Sequence, residues 1–99
     1  MTYLRTTIGR WRIDLQSEEG DTIFALIRDE GLAVFRAQPG FISYRLMRAD
    51  DTTTIAVAEW QNRELGEAGA GKFRQWLESS GIAGRLKLET FDGDVVVSS

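Results

Sequence analysis

Apolar and polar positions alternate from Tyr3 to Leu15, with Thr7, Gly9, Trp11, Ile13 and Leu15 on one face and Ile8, Arg10, Arg12 and Asp14 on the other. A period of two with a bulky face predicts a strand. Gly9 inside it points to a bulge or to something passing close to the backbone. Ser17 to Asp21 is turn material, with Ser17 or Asp21 able to cap a helix. Ile23, Phe24, Leu26, Ile27, Val34 and Phe35 then recur at helical spacing, and Arg28, Asp29, Glu30 and Arg36 fall mostly on the other side. Gly31 costs this helix about 1 kcal/mol against alanine, which predicts a close packing neighbour there. Pro39-Gly40 ends the helix, because proline disfavours helical geometry in the residue before it.

The pattern returns to alternation after Gly40. Phe41, Ser43, Arg45 and Met47 oppose Ile42, Tyr44, Leu46 and Arg48, giving a strand over 41–48. A hinge at Ala49-Asp50-Asp51-Thr52 leads into a third strand from Thr53 to Trp60. On that strand Ala56 and Ala58 leave room beside Trp60, as a cavity wall would, or as a tightly packed helix would. Asn62 caps a short helix through Leu65; Gly66, Gly69 and Gly71 predict a loosened stretch, and a second helical piece follows from Lys72 to Ser79. Arg85, Lys87, Glu89 and Phe91 alternate with Leu86, Leu88 and Thr90 as a fourth strand. Asp92-Gly93 reads as a turn, and Val95-Val96-Val97 as a fifth short strand able to add to a sheet edge, including a partner's.

Strand, helix, strand, strand, helix, strand predicts an α+β, ferredoxin-like domain over 1–99: a four-stranded antiparallel sheet with helices on one face. The other sheet face carries enough apolar surface to ask for a cover, which a symmetric homodimer of facing sheets supplies. Composition narrows the chemistry more than the fold. The chain has no cysteine and no histidine, so thiolate nucleophiles, disulfides, imidazole bases and nearly every zinc or haem site are excluded by residue type. No metal is expected. A net charge of -3 with scattered basic residues predicts no nucleic-acid partner. The lack of a long apolar run or a leader-like N-terminus predicts no membrane partner and a cytoplasmic protein.

Pro39-Gly40-Phe41-Ile42-Ser43-Tyr44-Arg45-Leu46, then Ala58-Glu59-Trp60-Gln61-Asn62-Arg63-Glu64, and later Phe73-Arg74-Gln75-Trp76-Leu77, resemble the antibiotic biosynthesis monooxygenase domain family. The resemblance follows the element order over nearly the whole chain and implies a dimeric α/β barrel with a cleft between helices and sheet. It also implies oxygenation of a small aromatic, phenolic or quinol compound without cofactor, metal or haem. Departures are specific. The histidine that haem-degrading members carry on the second helical segment is missing, and Gly69-Ala70-Gly71-Lys72 stands where many relatives have one just ahead of the F-R segment. The first-strand asparagine of some members is also absent, with Thr7 and Gly9 in that region; Trp60 carries over. No residue is thereby assigned a catalytic role.

The ligand-pocket candidates are Trp60, Trp76, Phe73 and Phe24 as stacking walls, Tyr44 as a hydrogen-bond donor, and Arg10, Arg12 or Arg45 as a partner for an anionic oxygen. Core packing competes with ligand contact for each aromatic, and a solvated or paired surface role for each arginine. The alternative function is a non-enzymatic dimeric module that binds a small ligand or serves as an accessory protein. A purely structural module is a third reading and predicts a cleft filled by its own side chains.

Overall fold

β1 (Tyr3–Trp11) lies inside the sheet, paired with β3 (Thr53–Trp60) on one side and β4 (Leu86–Asp94) on the other. β2 (Phe41–Asp50) pairs with β3 at the far edge, so the order is β2-β3-β1-β4, antiparallel throughout. With one helical segment between β1 and β2 and another between β3 and β4, this is the ferredoxin-like arrangement expected from the alternation. The computed structural model describes all 99 residues.

The first helical segment runs without interruption from Glu18 to Arg36. It comprises α1 (Glu18–Leu26), one wide turn of π geometry at Ile27–Gly31, and α2 (Leu32–Arg36). Ser17 supplies the cap, its hydroxyl accepting from the Gly20 amide at 3.2 Å. The neighbour expected at Gly31 is Trp76: a Cβ on Gly31 would stand 3.0 Å from its ring. Gly40, at φ +79°, turns the chain into β2.

β1 stops at Trp11, short of the Leu15 that its alternation reached. Past Trp11 the chain leaves the sheet, and Leu15 becomes fully buried in the core with Trp11, Ile23, Ile27, Leu77 and Ile82. A bulge at Ile42 alters β2. Phe41 and Tyr44, odd and even, both face the helices, and Phe41 packs against Phe35 and Trp60.

The second helix departs most from expectation. α3 (Arg63–Ser79) is one continuous helix of 17 residues, capped by Asn62 Oδ1 accepting from the Leu65 amide at 2.9 Å. Its glycines do not loosen it. A Cβ on Gly66 would lie 2.5 Å from the Tyr3 ring, and one on Gly69 would lie 2.1 Å from the Trp60 ring. The glycines are cut-outs that seat the helix on two large aromatics. A short 3₁₀ turn at Ile82–Arg85 then leads into β4.

β4 runs through Asp92-Gly93 instead of turning there, because Asp92 pairs with Arg5 of β1 and Gly93 with Leu4. The ladder therefore uses up the sheet edge before the valines arrive. Val95 donates one backbone bond to Thr2, no fifth strand forms within the chain, and Val96 and Val97 are 81% and 87% exposed.

Candidate functional site between sheet and helices

Strand parity decides what faces the helices. The odd residues of β1 from Tyr3 to Trp11 and the even residues of β3 from Thr54 to Trp60 share the inner face with Tyr44, Leu46, Leu86, Leu88 and Thr90. A cavity of about 90 Å³ remains between this face and the helices, walled mainly by apolar side chains and roofed by Ile27, Phe35, Ala70, Phe73, Arg74 and Leu77. Ala56 and Ala58 form its floor beside Trp60. For scale, a cavity of about 150 Å³ accommodates benzene. Unmoved, the space here suits at most part of a single ring.

A second, shallower groove of about 690 Å³ lies at the β2 edge against α1 and the π turn. Ile27, Tyr44 and Leu46 line both spaces, so these three side chains form the partition between them. A modest shift of Tyr44 or Leu46 would join cavity and groove into a volume in the usual range for small-molecule sites.

The aromatic wall is a connected stack. Phe35 lies 4.2 Å from Phe73 at a near-parallel 16°, 4.5 Å from Tyr44 and 5.9 Å from Trp60, measured between ring centroids. Trp60 is fully buried and its indole N–H has no acceptor. Buried donors are nearly always satisfied in folded proteins, and Trp60, a residue of the cavity wall, carries the one buried side-chain donor of this chain left without a partner. The other wall tryptophan, Trp11, does have a partner, donating to Thr54 Oγ1 at 2.9 Å.

Burial pushes the Tyr44 phenol up to about 12. At neutral pH it is therefore a hydrogen-bond donor and not a base. Tyr3 is raised as well, by burial first and then by its hydrogen bond to Asp92. These shifts fix a sign. A phenol whose folded pKa exceeds its unfolded value of about 10 contributes stability fully present below pH 10, and loses it as pH rises toward the folded pKa. Tyr44 is expected to contribute no tyrosinate absorbance at 295 nm near pH 10, and Tyr3 to titrate above the ordinary phenol value. A one-tyrosine step centred at pH 10 in the folded protein would contradict this.

The polar end of the cavity is built around Arg5. Its Nη1 donates to the Tyr3 hydroxyl at 3.2 Å and lies 3.8 Å from Asp92, and the side chain is 19% exposed. Tyr3 donates in turn to Asp92, which also meets Arg63 at 3.2 Å. Arg63 sits over the Tyr3 ring, 4.9 Å from its centroid. The Tyr3 hydrogen bond, then Arg63 and Arg5, hold the Asp92 carboxyl below the ordinary carboxylate range.

Trp60, Phe73 and Tyr44 of the sequence candidates line the cavity together. Phe24 lies in the outer groove instead. Trp76 packs on Gly31 and Phe73 at the rim of the core without lining the cavity. Arg10 and Arg45 point from the opposite face of the sheet, since each is one residue out of phase with its inward neighbours; Arg10 there pairs with Glu89 at 3.6 Å. The arginines at the cavity are Arg5 and Arg74. Both were legible: Arg5 continues the inward parity of Thr7, Gly9 and Trp11, and Arg74 adjoins Phe73 one turn before Leu77. No group of three or more acidic side chains is arranged to hold a metal ion. No helix is long and apolar enough to cross a membrane.

No family model matches the chain, and no curated protein matches it. Solved structures do. SnoaB, a cofactor-independent oxygenase from Streptomyces nogalater, superposes with a TM-score of 0.75 at 15% identity, over 98% of this chain and 95% of that one. An antibiotic biosynthesis monooxygenase-like protein from Nitrosomonas europaea gives 0.73 at 11% identity, over 96% and 90%. A dimeric ferredoxin-like protein from an uncultured marine organism gives 0.71 at 13%, over 99% and 98%. The fold is thus that of the antibiotic biosynthesis monooxygenase-like proteins, as the Pro39–Trp60 motifs imply. At these identities the likeness concerns the fold alone.

Proposed function

We propose that the protein is a cofactor-independent monooxygenase of a small phenolic or quinol compound, bound between the sheet and the helices against Trp60. The observation that carries this reading is the cavity itself: an apolar slot walled by stacked aromatics whose free polar groups are donors. The Trp60 N–H lacks an acceptor, Tyr44 is held protonated, and Arg5 presents a largely buried cation. Such a wall favours a ring that brings oxygen acceptors and stabilises negative charge on them. Electrons for oxygen reduction come from the substrate. A quinol takes one atom of O₂ into a ring C–O bond and loses its two ring O–H hydrogens, becoming a hydroxyquinone, while the second oxygen atom leaves as water. The chain's own residues contribute stacking, charge stabilisation and exclusion of water.

Oxygen uptake over a panel of quinols and anthrones tests the proposal. Acceleration over the uncatalysed rate is expected, with a substantial loss in Trp60→Phe. Ligand binding without turnover, with oxidation rates unchanged by Trp60→Phe, would favour a non-enzymatic ligand-binding or accessory module.

The proposal includes a homodimer through the open sheet face. Met47, Ile55 and Ile8 stand in register across β2, β3 and β1 on that face, and Phe91, outward on β4, is 57% exposed. The Val95-Val96-Val97 segment lies at a sheet end, with Val95 bonded to Thr2 and Val96 and Val97 exposed, and could add to a partner's edge. Sedimentation equilibrium at the mass of a single chain would remove the dimer from the proposal.

A further inference from the structure

The charges at the cavity are unbalanced beyond the one cation, Arg5, that the proposed quinol chemistry uses. Arg5 and Arg74 line it, and no acidic side chain does. Asp92, the nearest carboxylate to Arg5, is shared: it accepts the Tyr3 hydroxyl and lies closer to Arg63, 3.2 Å, than to Arg5, 3.8 Å. Glu67, the fourth charge of that group, meets Arg63 at 3.8 Å on the outer surface of α3, where water screens it. Arg74 forms no ion pair. Arg5, which lines the cavity, spends one N–H on Tyr3 and makes no other side-chain hydrogen bond, so most of its five donors have no protein acceptor.

Location adds to charge. Leu88, on the helix side of β4, is 36% exposed, so α3 leaves the inner face of β4 partly uncovered. Arg74 stands on the helix side of this opening, with Leu88 and Thr90 on the strand side. Arg5 lies one strand further in, with Asp92 and Phe91-flanking Thr90 along the adjacent β4. A ligand entering here passes one cation at the rim and meets another, largely buried, inside. A guanidinium fork matches a carboxylate in shape and is easily desolvated.

We propose that the ligand of this cavity, once the Tyr44–Leu46 partition moves to enlarge it, is an aromatic acid, a ring carrying a carboxylate that Arg5 and Arg74 hold while the ring stacks against Phe73 and Trp60. This rests on the ligand-site reading above and names its substrate class. The two cations select the acid over its neutral counterpart. The acid's ring then places its hydroxyls toward the Trp60 and Tyr44 donors.

The test pairs 2,5-dihydroxybenzoate with hydroquinone, the same quinol with and without the carboxylate, by calorimetric titration into the intact protein at low salt and by oxygen uptake. The acid is expected to bind at least tenfold more tightly. Arg74→Gln, an exposed change that leaves the core intact, lowers its affinity severalfold and leaves hydroquinone within twofold. Arg5→Gln brings the two ligands near parity, and Arg5→Lys restores part of the preference. Should Arg5→Gln not fold, Arg74→Gln and the salt dependence of acid binding decide. Hydroquinone binding as tightly as the acid, or a preference untouched by Arg74→Gln and by salt, overturns the assignment while leaving the oxygenase reading standing if hydroquinone is turned over. Tight, arginine-dependent binding of the acid with no oxygen uptake supports the assignment and removes the oxygenase. Binding of neither ligand overturns both.

Discussion

Gly69→Ala lowers the stability of the folded protein by about 3 kcal/mol, the upper end of the usual cost of forcing extra atoms into a packed core. The new Cβ would lie 2.1 Å from the Trp60 ring, and neither side can give way. Gly69 belongs to the backbone of a 17-residue helix, and Trp60 is fully buried between Phe35, Phe41 and that helix. Helix propensity argues the other way, because alanine in place of glycine should gain roughly 1 kcal/mol. Gly71, two residues on, isolates that second effect: a Cβ there meets nothing within 4 Å. Gly71→Ala therefore raises the urea midpoint while Gly69→Ala lowers it sharply. Equal shifts in both variants would show that the helix does not rest on Trp60.

Trp60→Ala removes the other half of the same contact and costs about 3–5 kcal/mol, the range for deleting a large aromatic from a core. That is comparable with the whole stability of many domains of this size. Trp60 touches Phe35 and Phe41, seats Gly69 and walls the cavity, so its loss leaves a void that the rigid sheet cannot close. Urea denaturation of Trp60→Ala should show a fraction of the wild-type stability or no cooperative transition. A loss below 1 kcal/mol would mean that the ring is loosely held, and it would take the fixed cavity wall with it.

Much of this architecture was written in the periodicities. Alternation over β1, β2 and β3 and the Pro39-Gly40 stop gave the element order, because half-buried strands must repeat every second residue. Two features escaped for a common reason: local composition signals chain behaviour, whereas the residue was serving a distant contact. Gly66 and Gly69 look like helix breakers until Tyr3 and Trp60 are seen beneath them. Asp92-Gly93 looks like a turn until Arg5 and Leu4 are found opposite. The bulge at Ile42, which turns Phe41 inward with Tyr44, is a third case: its flanking residues, Phe41 and Ser43, carry no bulge signal such as a glycine.

The site was legible in part. Trp60, Phe73 and Tyr44 share the cavity because Trp60 and Tyr44 obey strand parity and Phe73 obeys helical spacing. Arg10 and Arg45 were attractive as cations near aromatics in sequence, but in a strand a sequence neighbour points to the opposite face. Counting parity back from Trp11 leads to Arg5, a cation whose burial becomes evident only with Tyr3 and Asp92 around it.

The most direct measurement is an oxygen-electrode trace of quinol oxidation with catalase added at the end. Simple two-electron oxidation of a quinol releases hydrogen peroxide, from which catalase returns half of the oxygen consumed; monooxygenation releases water and returns none. The proposed chemistry predicts uptake well above the protein-free rate, slowed by Trp60→Phe, with no oxygen returned by catalase. Uptake no faster than the blank, or the return of half the oxygen, would contradict it.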